Sequence, residues 1–391
     1  MARFFLTLVT VGIFPFSTAL AAPSSTLHTD IPGIFLFARS RLQQAARTLP
    51  VTGYPITTDT AGKWKTTNAG AWTSGFFLGS LWLLYEQSGS RIWRTYAQPR
   101  HTALNIEKNN KGTHDLGFMF LPSFRNGYRL TKNDQYRRTL LTAAESLATR
   151  YSPEVGAIKS WETKPSEFPV IIDSLMNIEL LFWGAARGGD PLWRDIALKH
   201  ARKIRREHVR PDGSTYHVVT YHPETGEVEK KSTAQGKSNE STWSRGQAWA
   251  LYGFTMVYRE TNDASFLQTA RTVADYFLAH LPSDGIPLWD FNASSSEPRD
   301  SSAAAIAASG LLELSRLEKS PAKRARYFAG AERILRSLSS PAYLAKGTAH
   351  HALLLHGTYH KPTGDFDTGT AWGDYYFLEA LLRYQRHPLA Q

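Results

Sequence analysis

Twelve helix-like stretches run along this chain, and they are of two kinds that alternate. Those near 32–48, 91–108, 132–150, 190–208, 263–281 and 320–339 are charged and amphipathic, as expected of helices with one face in water. Those near 73–87, 115–130, 173–187, 243–259, 300–317 and 371–386 are apolar or small nearly all round, for example Gly75 to Tyr85 and Ala303 to Leu314, as expected of helices buried on every side. The buried kind starts near Trp72, Asp115, Asp173, Trp243, Asp300 and Trp372, at intervals of 43, 58, 70, 57 and 72 residues. Each interval holds two helices and their connections. Six inner helices alternating with six outer ones predict an all-α fold, an (α/α)6 barrel, whose parallel inner helices aim the same ends at one mouth. Every inner-helix start would then line a single pocket.

Two segments stand outside this pattern. Ser214 to Tyr221 and Glu227 to Lys231, joined by His222-Pro-Glu-Thr-Gly226, read as a short β-hairpin insertion spanning about 214–233. Met1 to Ala21, with Arg3, an apolar run from Phe4 to Phe16 and Ala19-Leu20-Ala21, reads as a secretory signal peptide. The remainder, 22–391, has no linker or charge block to divide it, so a single catalytic-size domain is expected, secreted or periplasmic, monomeric or homodimeric. No later apolar run is long enough to span a membrane.

Several chemistries are excluded by what the chain lacks. Without cysteine there is no thiolate nucleophile, disulfide or thiolate metal site, and no HExxH, EF-hand, P-loop, GxGxxG or GxSxG pattern occurs. No metal and no cofactor are expected, and chemistry must come from carboxylates and water. The net charge of +11 suggests an anionic partner. The densest basic run, Lys199 to Arg206, has helical character and no nucleic-acid reader accompanies it, so an acidic polysaccharide is the better expectation than nucleic acid.

The inner-helix starts carry Trp72 and Phe76, His114 and Asp115, Asp173 and Asn177, Trp243, Arg245, Gln247 and Trp249, Asp300, and Trp372 with Asp374. Together they describe an aromatic-walled pocket with carboxylates and an arginine, suited to stacking on a sugar ring and bonding its hydroxyls. Arg245 offers a planar fork that matches a sugar carboxylate. Asp173 stands alone in the apolar run FPVIIDSLMNIELLFW; burial would raise its pKa, while the helix start would lower it. Each residue also has a simpler reading. Asp173 and Asp300 serve as N-caps, the tryptophans as core, Asp374 as a tie to the last helix, and Arg245 as the partner of a structural acid.

The blocks WTSGF (72–76), HDLGF (114–118), IIDSLMN (171–177), STWSRGQAWALYG (241–253), DSSAAAIAASGLLEL (300–314) and WGDYYFLEALLR (372–383) occur in order over nearly the whole chain. Jointly they resemble the unsaturated glucuronyl hydrolases, glycoside hydrolase family 88. The resemblance implies an (α/α)6 barrel that removes a 4,5-unsaturated uronic acid from the non-reducing end of lyase-generated oligosaccharides. The implied reaction hydrates an enol ether rather than displacing a glycosidic bond. By the same resemblance Asp173 is the general acid/base and Asp115 its companion carboxylate. Trp72, Phe76, His114, Arg245 and Trp249 match sugar-contacting positions, His217 and Gln235 match loop residues near the uronate and the water, and Trp161 is a further match. Asn177 and Trp372 complete the expected substrate-binding set. In members that prefer sulfated disaccharides the loop before the last helix carries a serine and lysine pattern; here His356 to Lys361 keeps the lysine without the serines. An unsaturated rhamnogalacturonyl hydrolase on pectin fragments, a sugar epimerase on the same barrel and a non-catalytic binder of acidic oligosaccharides are the rival readings.

Overall fold

The computed structural model describes Met1 and residues 27–390. Apart from Met1, the leader-like run at 1–21 lies outside the described residues. The chain winds alternately outside and inside a ring. It begins with α1 (Leu27–Thr48) outside, α2 (Ser74–Ser88) inside and α3 (Ile92–Leu104) outside. The second inner column is built from α4 (Leu116–Phe120), a π-turn over Leu121–Arg125 and α5 (Asn126–Thr131), backed by α6 (Asp134–Ala148). The third is α7 (Ser174–Asn177) with α8 (Glu179–Ala185), backed by α9 (Leu192–His208). The last three inner helices are α10 (Ser244–Thr261), α12 (Ser301–Leu317) and α14 (Ala371–Gln385), with α11 (Ala264–Ala279) and α13 (Pro321–Leu338) outside. The inner columns touch in chain order, and α14 packs back on α2, so the ring closes.

Composition explains which helices go inside. Ala303 to Ala308 in α12 have no accessible surface, and their small side chains let α12 lie tightly between α10 and α14. Asp300 starts that helix as a true N-cap, accepting from Ser302 N at 3.0 Å and Ala303 N at 3.3 Å. In contrast α9 buries one stripe, Trp193, Ala197, His200, Ala201, Ile204 and His208, and leaves its arginines and lysines on the other face. At the end of the barrel away from the helix starts, Glu179 accepts from Arg125 and Arg259, each at 2.6 Å, while Glu313 accepts from Arg259 at 2.6 Å and Arg383 at 2.8 Å. Acids so paired tie five of the inner columns together.

Helix boundaries differ from expectation in two places. The first helix already runs from Leu27 in the described residues, five positions before the expected 32, and carries Pro32 inside it. The second inner column breaks into a π-turn around Pro122, which cannot donate to the helical ladder.

The expected hairpin exists, its first strand shortened to four residues and its second shifted by one, and it has company. Antiparallel pairs form between β1 (Tyr54–Thr58) and β2 (Trp64–Thr67) and between β3 (Tyr151–Ser152) and β4 (Ala157–Ile158). A three-stranded sheet joins β5 (Phe168–Ile171), β6 (Val218–Tyr221) and β7 (Val228–Ser232), and a further pair joins β8 (Gly357–His360) to β9 (Asp365–Thr368). Apart from β6 and β7, which the hairpin reading anticipated, these strands are two to five residues long, too short for alternation to mark them in the sequence. The β5–β6 register pairs Ile171 with Val218, and Ile172 N donates to His217 O at 3.0 Å. That one pairing carries His217 to the side of Asp173.

Candidate active site

At the mouth lies a cavity of about 200 Å³, lined by Trp72, His114, Asp115, Trp161, Asp173, Gln235 and Arg245 among others. Its size suits one small ring rather than a chain. A larger cavity, about 640 Å³, lies between α1 and the segment around Ser339 to Gly347. It brings no such set of carboxylates, aromatics and arginine together.

Asp173 immediately precedes α7 but does not cap it: its carboxylate accepts no helix N–H, and Oδ2 is buried without a partner. Burial raises its carboxyl from the ordinary 3.8 to about 7; the positive charge of Arg245 opposes the rise and Asp115 adds to it. Near neutral pH this group therefore exists in both protonation states, as a group that must give and take a proton requires.

His217 faces it. Its Nδ1 accepts from Ala234 N at 3.2 Å and Gln235 N at 3.4 Å, and burial, followed by the Arg245 charge, pushes its pKa down to about 3. A neutral ring whose Nδ1 is an acceptor carries its proton on Nε2. Nε2 points toward Asp173 Oδ2 at 3.8 Å, and neither atom has a hydrogen-bond partner. That gap is too long for a direct bond, and both atoms are closed off from the cavity. The ring is held against Trp243, with centroids 4.4 Å apart.

Asp115 also leaves its helix uncapped. Its Oδ2 accepts from Thr113 Oγ1 at 3.1 Å, its Oδ1 from Asn177 Nδ2 at 3.4 Å, and His114 Nε2 lies 3.3 Å from Oδ1. Asn177 Oδ1 in turn accepts from Phe118 N at 2.9 Å, which locks α7 to α4. The two helices meet at Gly117, where a Cβ would fall 2.3 Å from Asn177 Cα. The approach that brings the two aspartate-bearing helix starts together thus depends on a missing side chain.

Arg245 is 1% exposed and its fork is already engaged. Nη1 donates to Asp300 Oδ2 at 3.1 Å and to Thr358 O, and Nη2 donates to Tyr359 O at 2.7 Å and to Gln235 Oε1. The expectation of a free fork for a sugar carboxylate is therefore corrected. Arg245 instead binds the β8 strand, the Gln235 loop and α12 into one rim, and reaches Asp173 through its charge. Because Gln235 Oε1 is taken, the side that Gln235 can offer to a ligand is its NH2 donor.

Not every expected residue reaches the cavity. Phe76, Trp249 and Trp372 are fully buried behind its aromatic wall, Trp372 against Trp72 at 4.9 Å and Trp249 against Phe118 at 4.9 Å. Asn177 stands behind Asp115 as its support. Asp300 acts as the cap of α12 and the partner of Arg245, and Asp374 accepts Leu353 N and Leu354 N, tying the loop before β8 to the last helix. The sequence reading missed Thr113 and Tyr359. Thr113 directly precedes the His114-Asp115 pair and could have been read as its partner, whereas Tyr359, 6.5 Å from Trp72, lies on a strand that the sequence did not announce.

Comparison with known proteins agrees with this architecture. Residues 50–314 match the model of Glycosyl Hydrolase Family 88. The chain is 42% identical over 323 residues to an unsaturated glucuronyl hydrolase of Formosa agariphila, covering 80% of each. The fold superposes on the crystal structure of an unsaturated glucuronyl hydrolase specific for heparin with a TM-score of 0.88 at 40% identity, covering 91% of this chain and 97% of that one. It also superposes on the unsaturated glucuronyl hydrolase of Bacillus sp. GL1, described as responsible for glycosaminoglycan degradation, with a TM-score of 0.85 at 35% identity, covering 92% and 97%.

Proposed function

The chain belongs to glycosyl hydrolase family 88, and from that premise we propose how its pocket works as an unsaturated glucuronyl hydrolase. The unsaturated uronic acid enters the mouth and rests against Trp72 and Trp161. Asp173, protonated, gives its proton to C4, and positive charge develops at C5, shared with the ring oxygen. A water adds to C5 and returns a proton to the Asp173 carboxylate, which restores the acid. The resulting hemiketal opens and expels the rest of the sugar. Every atom is accounted for by substrate, water and one carboxyl group.

The observation that carries this reading is the facing pair of unpartnered atoms, Asp173 Oδ2 and His217 Nε2–H, 3.8 Å apart. In the proposed reaction a water drawn between them once substrate is bound is held by His217 and deprotonated by Asp173. Asp115, tied by Thr113 and Asn177, adds negative charge that favours the protonated form of Asp173 and accepts a ring hydroxyl. Gln235 contributes a donor.

The substrates we propose are unsaturated disaccharides derived from glycosaminoglycans, supported by the heparin and glycosaminoglycan relatives and by the net charge of +11. Action outside the cytoplasm is proposed from the leader-like composition of residues 1–21. The conjugated C4=C5 bond absorbs in the ultraviolet and hydration removes it. Purified protein should bleach unsaturated chondroitin, hyaluronan or heparin disaccharides, and Asp173→Asn should not. Undiminished absorbance of all three with wild-type protein would overturn the assignment.

A further inference from the structure

Behind Asp115 runs a line of buried polar contacts, three hydrogen bonds and a closing ionic contact, whose direction follows from its two ends. Ile171 N donates to Ser160 Oγ at 3.0 Å, Ser160 Oγ is 3.3 Å from Ser174 Oγ, and Ser174 Oγ is 3.2 Å from His114 Nδ1. His114 Nε2 then lies 3.3 Å from Asp115 Oδ1. Ser160, Ser174 and His114 are each at most 2% exposed.

A backbone N–H can only donate and a carboxylate oxygen accepts, so both ends of the line are settled. Burial lowers the His114 pKa against the pull of Asp115, which leaves the ring neutral with a single N–H. Were that proton on Nδ1, a bare Nε2 lone pair would face a carboxylate oxygen at 3.3 Å, two acceptors in repulsive contact. With the proton on Nε2, Nδ1 accepts the Ser174 hydroxyl, Ser174 accepts the Ser160 hydroxyl, and Ser160 accepts the Ile171 amide. Each donor is used once, and all point the same way.

The geometry assigns Ser160 and Ser174 as positioning residues of this site: a one-way hydrogen-bond relay from the β5 backbone that holds His114 in its Nε2–H tautomer and thereby holds Asp115 against the cavity. Ser160 N also donates to Pro169 O at 2.9 Å, so the relay is anchored to β5 at two points. Ser174 is the residue after Asp173. The chain that carries the acid therefore also steers its companion carboxylate, 58 residues away in sequence. Besides His114, Asp115 meets Thr113 and Asn177, with Asp173 across the cavity; Arg150 acts on His114 from outside the line.

The effect on turnover rests on the reaction proposed above, but the tautomer does not. In full-length protein with ¹⁵N-labelled histidine, long-range proton–nitrogen correlation reports which ring nitrogen is protonated. His114 should be the Nε2–H tautomer in wild type, and in Ser174→Ala that preference should weaken, since only the Asp115 carboxylate then favours it. Loss of Ser174 should lower kcat on the order of tenfold with KM little changed, the effect of one buried hydrogen bond acting through a positioned group. Ser160→Ala should be milder, and the double variant should equal Ser174→Ala alone, because a relay cut at Ser174 has nothing to receive from Ser160. A wild-type His114 protonated on Nδ1, or strictly additive effects of the two substitutions, would overturn the assignment. The wild-type spectrum requires no variant to fold. Absence of turnover in wild type would strike the reaction and leave the tautomer test intact.

Discussion

Asp173→Asn separates burial of the acid from its chemistry. The folded chain holds the Asp173 proton to about pH 7, whereas an ordinary aspartate releases it near 3.8. Below about pH 4 both states are protonated and the residue has no effect on stability. Between about 4 and 7 the unfolded chain binds fewer protons than the folded one, so stability falls as pH rises; above about 7 the whole shift is felt. Three pKa units at about 1.4 kcal/mol each amount to about 4 kcal/mol. Asparagine keeps the shape and carries no charge. The variant should therefore match wild type near pH 4 and exceed it by up to about 4 kcal/mol near pH 8. With an unfolding entropy of roughly 2 cal/mol/K per residue, that is a melting-temperature gap of about 5 °C. Scanning calorimetry of both proteins across this range should show the gap opening with pH, while the absorbance assay shows no turnover by the variant. A gap that does not change with pH would refute the raised pKa, and near-normal turnover would remove Asp173 from the chemistry.

Three other outcomes follow from the same geometry. If the protonated form of Asp173 is the acid, kcat/KM should fall about tenfold per pH unit above about pH 7; a pH–rate profile still rising through pH 9 would exclude it. Gly117→Ala places a methyl where 2.3 Å separates it from Asn177 Cα. It should destabilise by about 1–3 kcal/mol in denaturant titrations and depress turnover by parting Asp115 from Asp173, so a variant normal on both measures would contradict the close-approach argument. Arg245→Ala strands the fully buried Asp300 carboxylate and should cost about 3–5 kcal/mol, read as a lower melting temperature. Arg245→Lys should rescue little, since an ammonium cannot reach Asp300, Gln235 and two carbonyls on one plane.

The ring of helices was legible because burial leaves a compositional mark. A helix surrounded on all sides, such as α12, can use alanine, serine and leucine everywhere, whereas α9 must alternate faces. The site's centre was legible for a related reason: Asp173 is a charge in an apolar run, and His114-Asp115 stands at a helix start. Depth was not legible. Trp72 lines the cavity and Trp372 lies 4.9 Å behind it, yet both begin inner helices, and only the ring's radius decides which one faces inward. The role of Arg245 was hidden because its partners, Asp300, Thr358 and Tyr359, lie 55 to 114 residues away and two of them contribute only backbone carbonyls. Serine has no local signature of relay, and the strands β8 and β9 are too short and polar for alternation to mark.

What couples these parts is the pairing of β5 with β6. Side chains along a strand alternate faces, so a slip of one residue would turn His217 away from Asp173 and carry Val218 into its place. The same strand β5 feeds directly into Ile172 and Asp173, presents the Ile171 amide to Ser160, and presents its Pro169 carbonyl to the Ser160 amide. One short ladder therefore sets both the distance from His217 to the acid and the start of the relay that steadies Asp115. The helical barrel supplies the walls and the buried environment that raises the Asp173 pKa. The registration of two four-residue strands at its rim decides whether that carboxyl faces His217.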